Sequence, residues 1–271
     1  MAEPVKNLAR SRDGTEIAYF TSGTGPPLLM ISGTTADHSR WAPLLPHLEP
    51  HLTVHAMDRR GRGASGDTGP FSIDREYEDV AAVVDAIAES SGSTVSVYGH
   101  SFGGLCAFGA APLTSRICKL AVYEGWPTSD PAVLGLPPDV DERLDQLLAD
   151  GDREGVIETF FSEVLGMSDE QLGTMRAQPS WPARVAAAHT IRRESEAERT
   201  TRLDPAALAK ITVPVLLLIG SDTEGSFVVD VETIAAALPD ARVSSMPGQT
   251  HMADVFAPQL VAERLLPFVR G

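Results

Sequence analysis

A serine set among glycines is the clearest chemical signal in the sequence. The stretch "VSVYGHSFGG" holds Ser101 in a Gly-x-Ser-x-Gly pattern, after a predicted strand and before a run of small residues that predicts a helix. A tight strand–turn–helix of this kind lifts a serine hydroxyl out of the strand end, at a helix N-terminus. Gly99, Gly103 and Gly104 supply the small side chains that such a turn needs. We therefore predict that Ser101 is a nucleophile.

A serine hydroxyl is a weak nucleophile until a neighbouring base takes its proton. His251 is the histidine best placed for this role, because "SSMPGQTHMADVF" puts it in a predicted loop between the last strand and a helix. His100 lies inside the serine turn, and we expect its ring to point away from Ser101. The sequence therefore predicts a Ser101–His251 pair.

A serine attack on a carbonyl creates an oxyanion, which needs two hydrogen-bond donors. We predict that one of them is the backbone N–H of Phe102, at the start of the helix after the serine. The second is expected in the loop after an early strand, in "LLMISGTTADHSRW". Gly33 allows close backbone approach to a substrate, and Thr34 offers its own N–H. The sequence leaves both open.

At this point the chain resembles the α/β-hydrolase superfamily over nearly its whole length. The resemblance lies in "SGTT", "DRRGRGAS", "GHSFGG" and "GQTH". It implies a mostly parallel sheet flanked by helices, and a Ser-His-acid triad. Many members have His-Gly where this chain has Ser32-Gly33, which keeps the backbone donor but removes a ring from the site. We interpret "DRRGRGAS" as structural, with its arginines paired to nearby acids.

Two carboxylates compete for the acid position of the triad. Asp222, in "IGSDTEGSF", follows the strand that usually precedes the acid, but it stands one residue short of the usual Gly-x-x-Asp spacing, and Thr223 holds that position. Glu124 ends the apolar run in "LAVYEGWP", on the strand expected beside the strand of Ser101. We favour Glu124 and keep Asp222 as the alternative, with Glu224 a weaker third choice.

Zearalenone lactonases are similar in carrying a glutamate after this strand. The resemblance thus favours a serine hydrolase that cleaves an ester or lactone of a hydrophobic small molecule. Carbon–carbon bond hydrolysis and cofactor-free perhydrolysis of the haloperoxidase type are the alternatives on the same triad, and a non-catalytic binding protein is a third hypothesis. No cofactor and no metal are implied.

The elements that must position these residues follow an α/β pattern. Seven short apolar runs predict strands, and "EYEDVAAVVDAIAES" and "QLVAERLLPFV" predict helices on the faces of a mostly parallel sheet. From residue 127 to residue 209 the alternation gives way to helical patterns. We predict an α/β-hydrolase core from residues 1–126 and 210–271, with residues 127–209 inserted as a helical cap.

Caps in this position shape substrate pockets. The pocket is therefore expected to be apolar, with His189 as its one titratable candidate. The candidates for its walls are Trp126, Phe160, Phe161, Met167, Trp181, Phe227 and Met252.

The composition of the 271-residue chain disfavours some classes of binding partner. Its formal net charge of -15 disfavours nucleic acid and anionic membranes. The chain begins without the apolar core of a signal peptide, and its two cysteines lie in apolar stretches, so we predict a cytoplasmic protein with reduced thiols. A small hydrophobic ester or lactone is the expected partner, and the sequence leaves a homodimer open.

Overall fold

The computed structural model describes residues 3–128, 137, 139–223 and 226–271, apart from the side chains of residues 226, 227 and 229. Eight strands form one sheet. They are β1 (Val5–Arg10), β2 (Glu16–Gly23), β3 (Pro27–Ile31), β4 (Thr53–Met57), β5 (Val95–His100), β6 (Ile117–Tyr123), β7 (Val215–Gly220) and β8 (Ala241–Met246). Their order is β1-β2-β4-β3-β5-β6-β7-β8. Only β2 runs against its neighbours, and the pairs from β4 to β8 are parallel.

Twelve α-helices are described between and after the strands. They are α1 (Leu45–Leu48), α2 (Ile73–Ser91), α3 (Phe102–Ala110), α4 (Val140–Ala149), α5 (Arg153–Thr159), α6 (Asp169–Arg176), α7 (Trp181–Ala186), α8 (Ile191–Thr200), α9 (Pro205–Leu208), α10 (Ser226–Ala237), α11 (Ala253–Phe256) and α12 (Pro258–Arg270). A π-helical turn, Phe160–Val164, continues α5. Short 3-10 turns cover His38–Trp41, Ala111–Leu113 and Ala188–Thr190.

The sheet separates two apolar cores, because side chains alternate across a strand. On β3, Leu29 and Ile31 pack into the core under α2 and α3. Leu28 and Met30 pack into the opposite core, under α1 and α12. All five residues of β3 and all six of β7 are buried, as expected of central strands covered on both faces. The prediction of a mostly parallel sheet flanked by helices is confirmed.

The sequence did not predict β1. Val5 is 63% exposed and Leu8 49% exposed on this edge strand, which pairs only with β2. Such a strand has no buried run of side chains, so it lacks the apolar pattern that identified the other seven. Its backbone pairing with β2, from Val5–Thr21 to Arg10–Glu16, is what defines it.

Helices α4 to α9 lie in the chain between β6 and β7, and we call them the inter-strand helices. They have an apolar cluster of their own, which includes Leu144, Ile157 and Phe161. Met252, from the segment after β8, joins this cluster and so ties it to the sheet. In the described part of the chain, no helix combines the length and apolar character needed to cross a membrane.

Candidate active site

Three non-glycine residues with positive φ mark one edge of the sheet. In the described chain these are Thr35 at 69°, Ser101 at 54° and Glu124 at 44°. This conformation costs of order 1–3 kcal/mol unless the surroundings hold it. The three residues follow β3, β5 and β6, which are adjacent strands running in one direction. Backbone strain is therefore concentrated at the carboxyl ends of these strands.

Ser101 joins β5 to α3 in a turn without spare room. Its N–H donates to Tyr123 O on β6 at 2.9 Å, and its carbonyl accepts from Gly104 N at 2.7 Å. A Cβ on Gly125 would lie 2.0 Å from Ser101 O, and one on Gly33 would lie 2.7 Å from Ser101 Cβ. Glycine at both positions thus lets the neighbouring loops close around the serine.

Glu124 and His251 form a buried carboxylate–imidazole pair. Glu124 Oε2 lies 2.8 Å from His251 Nδ1. The other oxygen, Oε1, accepts hydrogen bonds from Gly220 N at 2.8 Å and from Thr223 Oγ1 at 2.6 Å. The Glu124 side chain is fully buried. Hydrogen bonds to both oxygens fix the plane in which the carboxylate meets the imidazole.

Asp222, the alternative acid, is placed elsewhere. It is exposed, and its Oδ1 accepts a hydrogen bond from Ser221 Oγ at 2.8 Å. The next residue, Thr223, points its hydroxyl at Glu124 instead. The structure thus brings Glu124, and not Asp222, to His251. Glu224 lies outside the described residues.

Hydrogen bonds from the side chains of Tyr123 and His100 hold the loop that carries His251. Tyr123 Oη donates a hydrogen bond to Thr250 O and accepts one from Ala253 N at 3.2 Å. His100 Nε2 donates to the carbonyl of His251 at 2.7 Å. Burial lowers the pKa of His100 well below its usual range, so its ring is a neutral donor. This contact between His100 and the loop of His251 was not predicted from the sequence.

Arg59 orients the loop after β3. Its Nε donates to Ser32 O at 2.9 Å and its Nη2 to Gly33 O at 3.2 Å. The described peptide bonds are all trans, so each carbonyl points opposite to the N–H of the next residue. The N–H groups of Gly33 and Thr34 therefore point away from Arg59. Phe102 begins α3, where helical N–H groups have no partner within the helix.

One small cavity joins these groups. Its volume, counted as the space that the centre of a water molecule can occupy, is about 20 Å³. That is room for about one water. Its walls are formed by Gly33, Thr34, Arg40, His100, Ser101, Phe160, Phe161, Leu165, Arg184, His251 and Met252. The predicted nucleophile, base and oxyanion loop thus share a single space.

The aromatic and sulfur side chains predicted for the pocket divide into two groups. Phe160, Phe161 and Met252 line the cavity. Trp126, Trp181, Met167 and His189 are not among the described residues that line it. The two tryptophans and Met167 pack in the apolar clusters, and the His189 ring lies 3.2 Å from Ala186 O. For these four residues a place in the substrate pocket stays a prediction. The side chain of Phe227 lies outside the described part of the structure.

The sequence interpretation missed two arginines in the cavity wall. Arg40 and Arg184 are 4% and 1% exposed, so the expected purely apolar lining is wrong. Arg184 stands in "PARVAAAH", where one charged residue interrupts a small apolar helical run. A charge in that position was the available signal, because an arginine is almost never fully buried unless it is paired.

Comparison with known proteins identifies the fold family. The model of the family described as "Alpha/beta hydrolase family" matches residues 28–264. The chain belongs to this family. The predicted superfamily and the predicted hydrolase class are confirmed, whereas the likeness to zearalenone lactonases stays a prediction.

Three relatives cover almost the whole chain. An alpha/beta hydrolase from Sphaerobacter thermophilus is 35% identical with a TM-score of 0.82, over 97% of this chain and all of that one. A pimeloyl-[acyl-carrier protein] methyl ester esterase of Xanthomonas campestris pv. campestris is 29% identical, over 91% of this chain and 96% of its own. A protein of Azorhizobium caulinodans named as a carbamate hydrolase is 27% identical, over 93% and 94% respectively.

Proposed function

We propose that this α/β hydrolase cleaves carboxylic esters through an acyl-enzyme on Ser101. The observation that carries the proposal is the 2.8 Å contact between His251 Nδ1 and Glu124 Oε2, in the same cavity wall as a serine held in a strained turn. Strain at a residue of this kind is typical of active sites. The name of the Xanthomonas relative, a methyl ester esterase, also supports ester chemistry.

In the proposed reaction, His251 Nε2 takes the Ser101 proton, because Nδ1 is engaged by Glu124. Ser101 Oγ attacks the ester carbonyl, and a tetrahedral oxyanion forms. His251 then protonates the departing alcohol, which leaves an acyl-enzyme that water hydrolyses. Glu124 stays ionised and stabilises the imidazolium that appears in both halves of the reaction.

The oxyanion is held by backbone N–H groups in this proposal. Phe102 supplies one from the first turn of α3, where the helix dipole also favours negative charge. Gly33 or Thr34 supplies the second, since Arg59 turns the loop carbonyls the other way. Donors of this kind are worth about 100- to 1,000-fold in turnover each.

The inter-strand helices are proposed to act as a cap. This proposal is supported by Phe160, Phe161, Leu165 and Arg184, which line the cavity that contains Ser101. Closing a site with apolar rings excludes water and strengthens the electrostatics within it. Lactones are cyclic esters, and the proposed chemistry extends to them without a further group.

Replacing Ser101 tests the nucleophile. Ser101→Ala should lower ester turnover by about 10⁴-fold or more, because the oxyanion donors alone give only residual catalysis. A fluorophosphonate should label the wild-type protein at Ser101 and leave the variant unlabelled, as intact-mass spectrometry and peptide mapping would show. Undiminished hydrolysis by Ser101→Ala would overturn the proposal.

Replacing the two carboxylates tests the acid. Glu124→Gln should lower kcat by about 10⁴-fold, because an amide in this place favours the wrong imidazole tautomer. Asp222→Asn is the matched control, since Asp222 is exposed and touches Ser221, and it should retain activity within a few-fold. Equal losses in the two variants would contradict the assignment of Glu124.

A further inference from the structure

Arg184 is a buried cation in the wall of the cavity that contains Ser101. It extends from α7, and 1% of its surface is exposed. Its Nη1 donates to Thr35 Oγ1 at 3.0 Å, while its Nε has no hydrogen-bond partner in the described part of the chain. No carboxylate of a described residue lies within ion-pair distance of its guanidinium.

The other buried arginines differ in this respect. Arg40 pairs with Asp254, and Arg60 pairs with Asp79 at 2.7 Å. Arg59 pairs with Glu76 and with Glu194, each at 2.8 Å, and Arg62 pairs with that same Glu194. This fold therefore matches a buried guanidinium with a carboxylate wherever the group is structural, and Arg184 is the exception among the described buried arginines.

An unmatched buried charge is costly. Burial, together with the charge of Arg40, lowers the pKa of Arg184 to about 9. The Phe161 ring, 5.5 Å from the guanidinium carbon, offers a partial cation–π contact. Asp37 and Asp254 act on Arg184 only from beyond ion-pair distance. A single hydrogen bond to the Thr35 hydroxyl does not require a cation, because a neutral amide would make it at lower cost.

We propose that Arg184 binds a free carboxylate of the substrate, so that the preferred substrates are short esters carrying an acid group near the ester. This inference rests on the proposed ester hydrolysis at Ser101. A guanidinium presents its N–H groups as a planar fork that fits a carboxylate. Arg40 already has Asp254 as its counter-ion, which leaves Arg184 as the cation to be matched. Because Arg184 and Ser101 line the same cavity, the carboxylate and the ester lie close together in such a substrate.

The link to Thr35 places this charge relative to the reaction. Thr35 follows the oxyanion loop and has a φ of 69°, and its hydroxyl accepts from Arg184 Nη1. A substrate anchored at Arg184 is therefore held against the same loop whose N–H groups face the oxyanion. Anchoring at a distance from the reacting carbonyl contributes to catalysis by fixing its orientation.

The test compares monomethyl succinate with methyl levulinate, which has a similar size and no charge, by methanol release. The wild-type protein should favour the anionic ester in kcat/KM by at least about tenfold, the scale of charged hydrogen bonds. Arg184→Met should abolish this preference, and Arg184→Lys should keep part of it. Arg176→Met is the matched control, because it removes an exposed charge from α6 outside the cavity, and it should leave the preference intact.

A wild-type protein without preference for the anionic ester would overturn the inference, as would an equal loss of both activities in Arg184→Met. Calorimetry with succinate on Ser101→Ala gives a second measurement that needs no turnover. Binding that is lost in Ser101→Ala/Arg184→Met but kept in Ser101→Ala/Arg176→Met supports the carboxylate site. If succinate binds but neither ester is cleaved, the esterase proposal fails and the carboxylate site stands. If methyl levulinate is cleaved but succinate does not bind, the carboxylate site fails and the esterase proposal stands.

Discussion

Thr223 shows how closely the acid of the proposed triad is held. Its hydroxyl and the Gly220 N–H share one oxygen of Glu124, so that the other oxygen faces His251. Hydrogen bonds to charged groups are worth about 1.5–3 kcal/mol. The carboxylate of β6 thus depends for its orientation on the loop after β7.

Removing this hydroxyl should weaken turnover without changing the fold. We expect Thr223→Val to lower kcat by about tenfold, because Glu124 loses one of the donors that orient it. KM should change little, and Thr223→Ser, which restores the hydroxyl, should recover most of the rate. Steady-state kinetics of the three proteins check this, and a valine variant as active as wild type would show that Gly220 alone suffices.

The residues that sequence identified are those with a local signature. Ser101 was predicted from its glycines, and His251 from its place after the last strand. Arg184 had only the weak signal of a charge in an apolar helical run, and its contact with Thr35 joins positions 149 residues apart. Choosing Glu124 over Asp222 needed the same long-range information, namely which side chain after β6 or β7 turns toward the imidazole.

Helix α8 is connected to the oxyanion loop through buried charges. Glu194 on α8 accepts from Arg59 at 2.8 Å and from Arg62, and both arginines also donate to Gly33 O. The same two guanidinium groups thus bind the Gly33 carbonyl of the oxyanion loop and the Glu194 carboxylate of α8. The position of α8 and the conformation of the oxyanion loop are therefore coupled.

Neutralising the Glu194 carboxylate should destabilise the folded protein. Glu194→Gln is expected to lower the free energy of unfolding by about 3 kcal/mol, because buried Arg62 loses its carboxylate partner and Arg59 keeps only Glu76 among the described residues. It should also lower kcat, since the loop loses its support. Glu196→Gln is the control on the same helix, because Glu196 is 64% exposed and pairs with Arg199 at the surface. Urea unfolding of both variants gives the comparison, and equal, small changes would refute the coupling.

Elements were predicted well where burial leaves a periodic pattern and poorly where it does not. The central strands and α2 have continuous or helical apolar patterns, and they occur as predicted. The exposed edge strand β1 and the π-helical turn after α5 have no pattern of their own. The latter brings Phe160 and Phe161 to the cavity by a local change of pitch, which helical spacing alone does not predict.

The whole molecule carries a charge opposite to that of its proposed anchor. The net charge of -15 repels an anionic ester at long range, while Arg184 attracts it inside the cavity. Exposed charges act on one another over a distance of about 30 Å at 0.01 M salt and of about 8 Å at 0.15 M. Salt screens buried charges much less. A change in ionic strength therefore alters the surface repulsion and leaves the attraction by buried Arg184 largely unchanged.

We expect kcat/KM for monomethyl succinate to rise several-fold between 0.01 and 0.15 M salt, because the surface repulsion is screened and the buried attraction is not. The value for methyl levulinate should stay flat over the same range. Initial rates at low substrate concentration measure both. A fall for the anionic ester would mean that attraction by exposed cations outweighs the repulsion.

The position of Thr223 also bears on how an active site of this kind can change over generations. The resemblance to α/β hydrolases puts the usual position of the acid at Thr223, whose hydroxyl lies 2.6 Å from Glu124 Oε1, so a carboxylate at 223 would stand beside Glu124. An aspartate gained at 223 while Glu124 remained would set two negative charges in one buried place, which raises the pKa of one of them sharply. A move of the acid from the strand of Glu124 to the loop after β7 would therefore require the loss of one carboxylate as the other appears, since the two do not both ionise readily in one buried place.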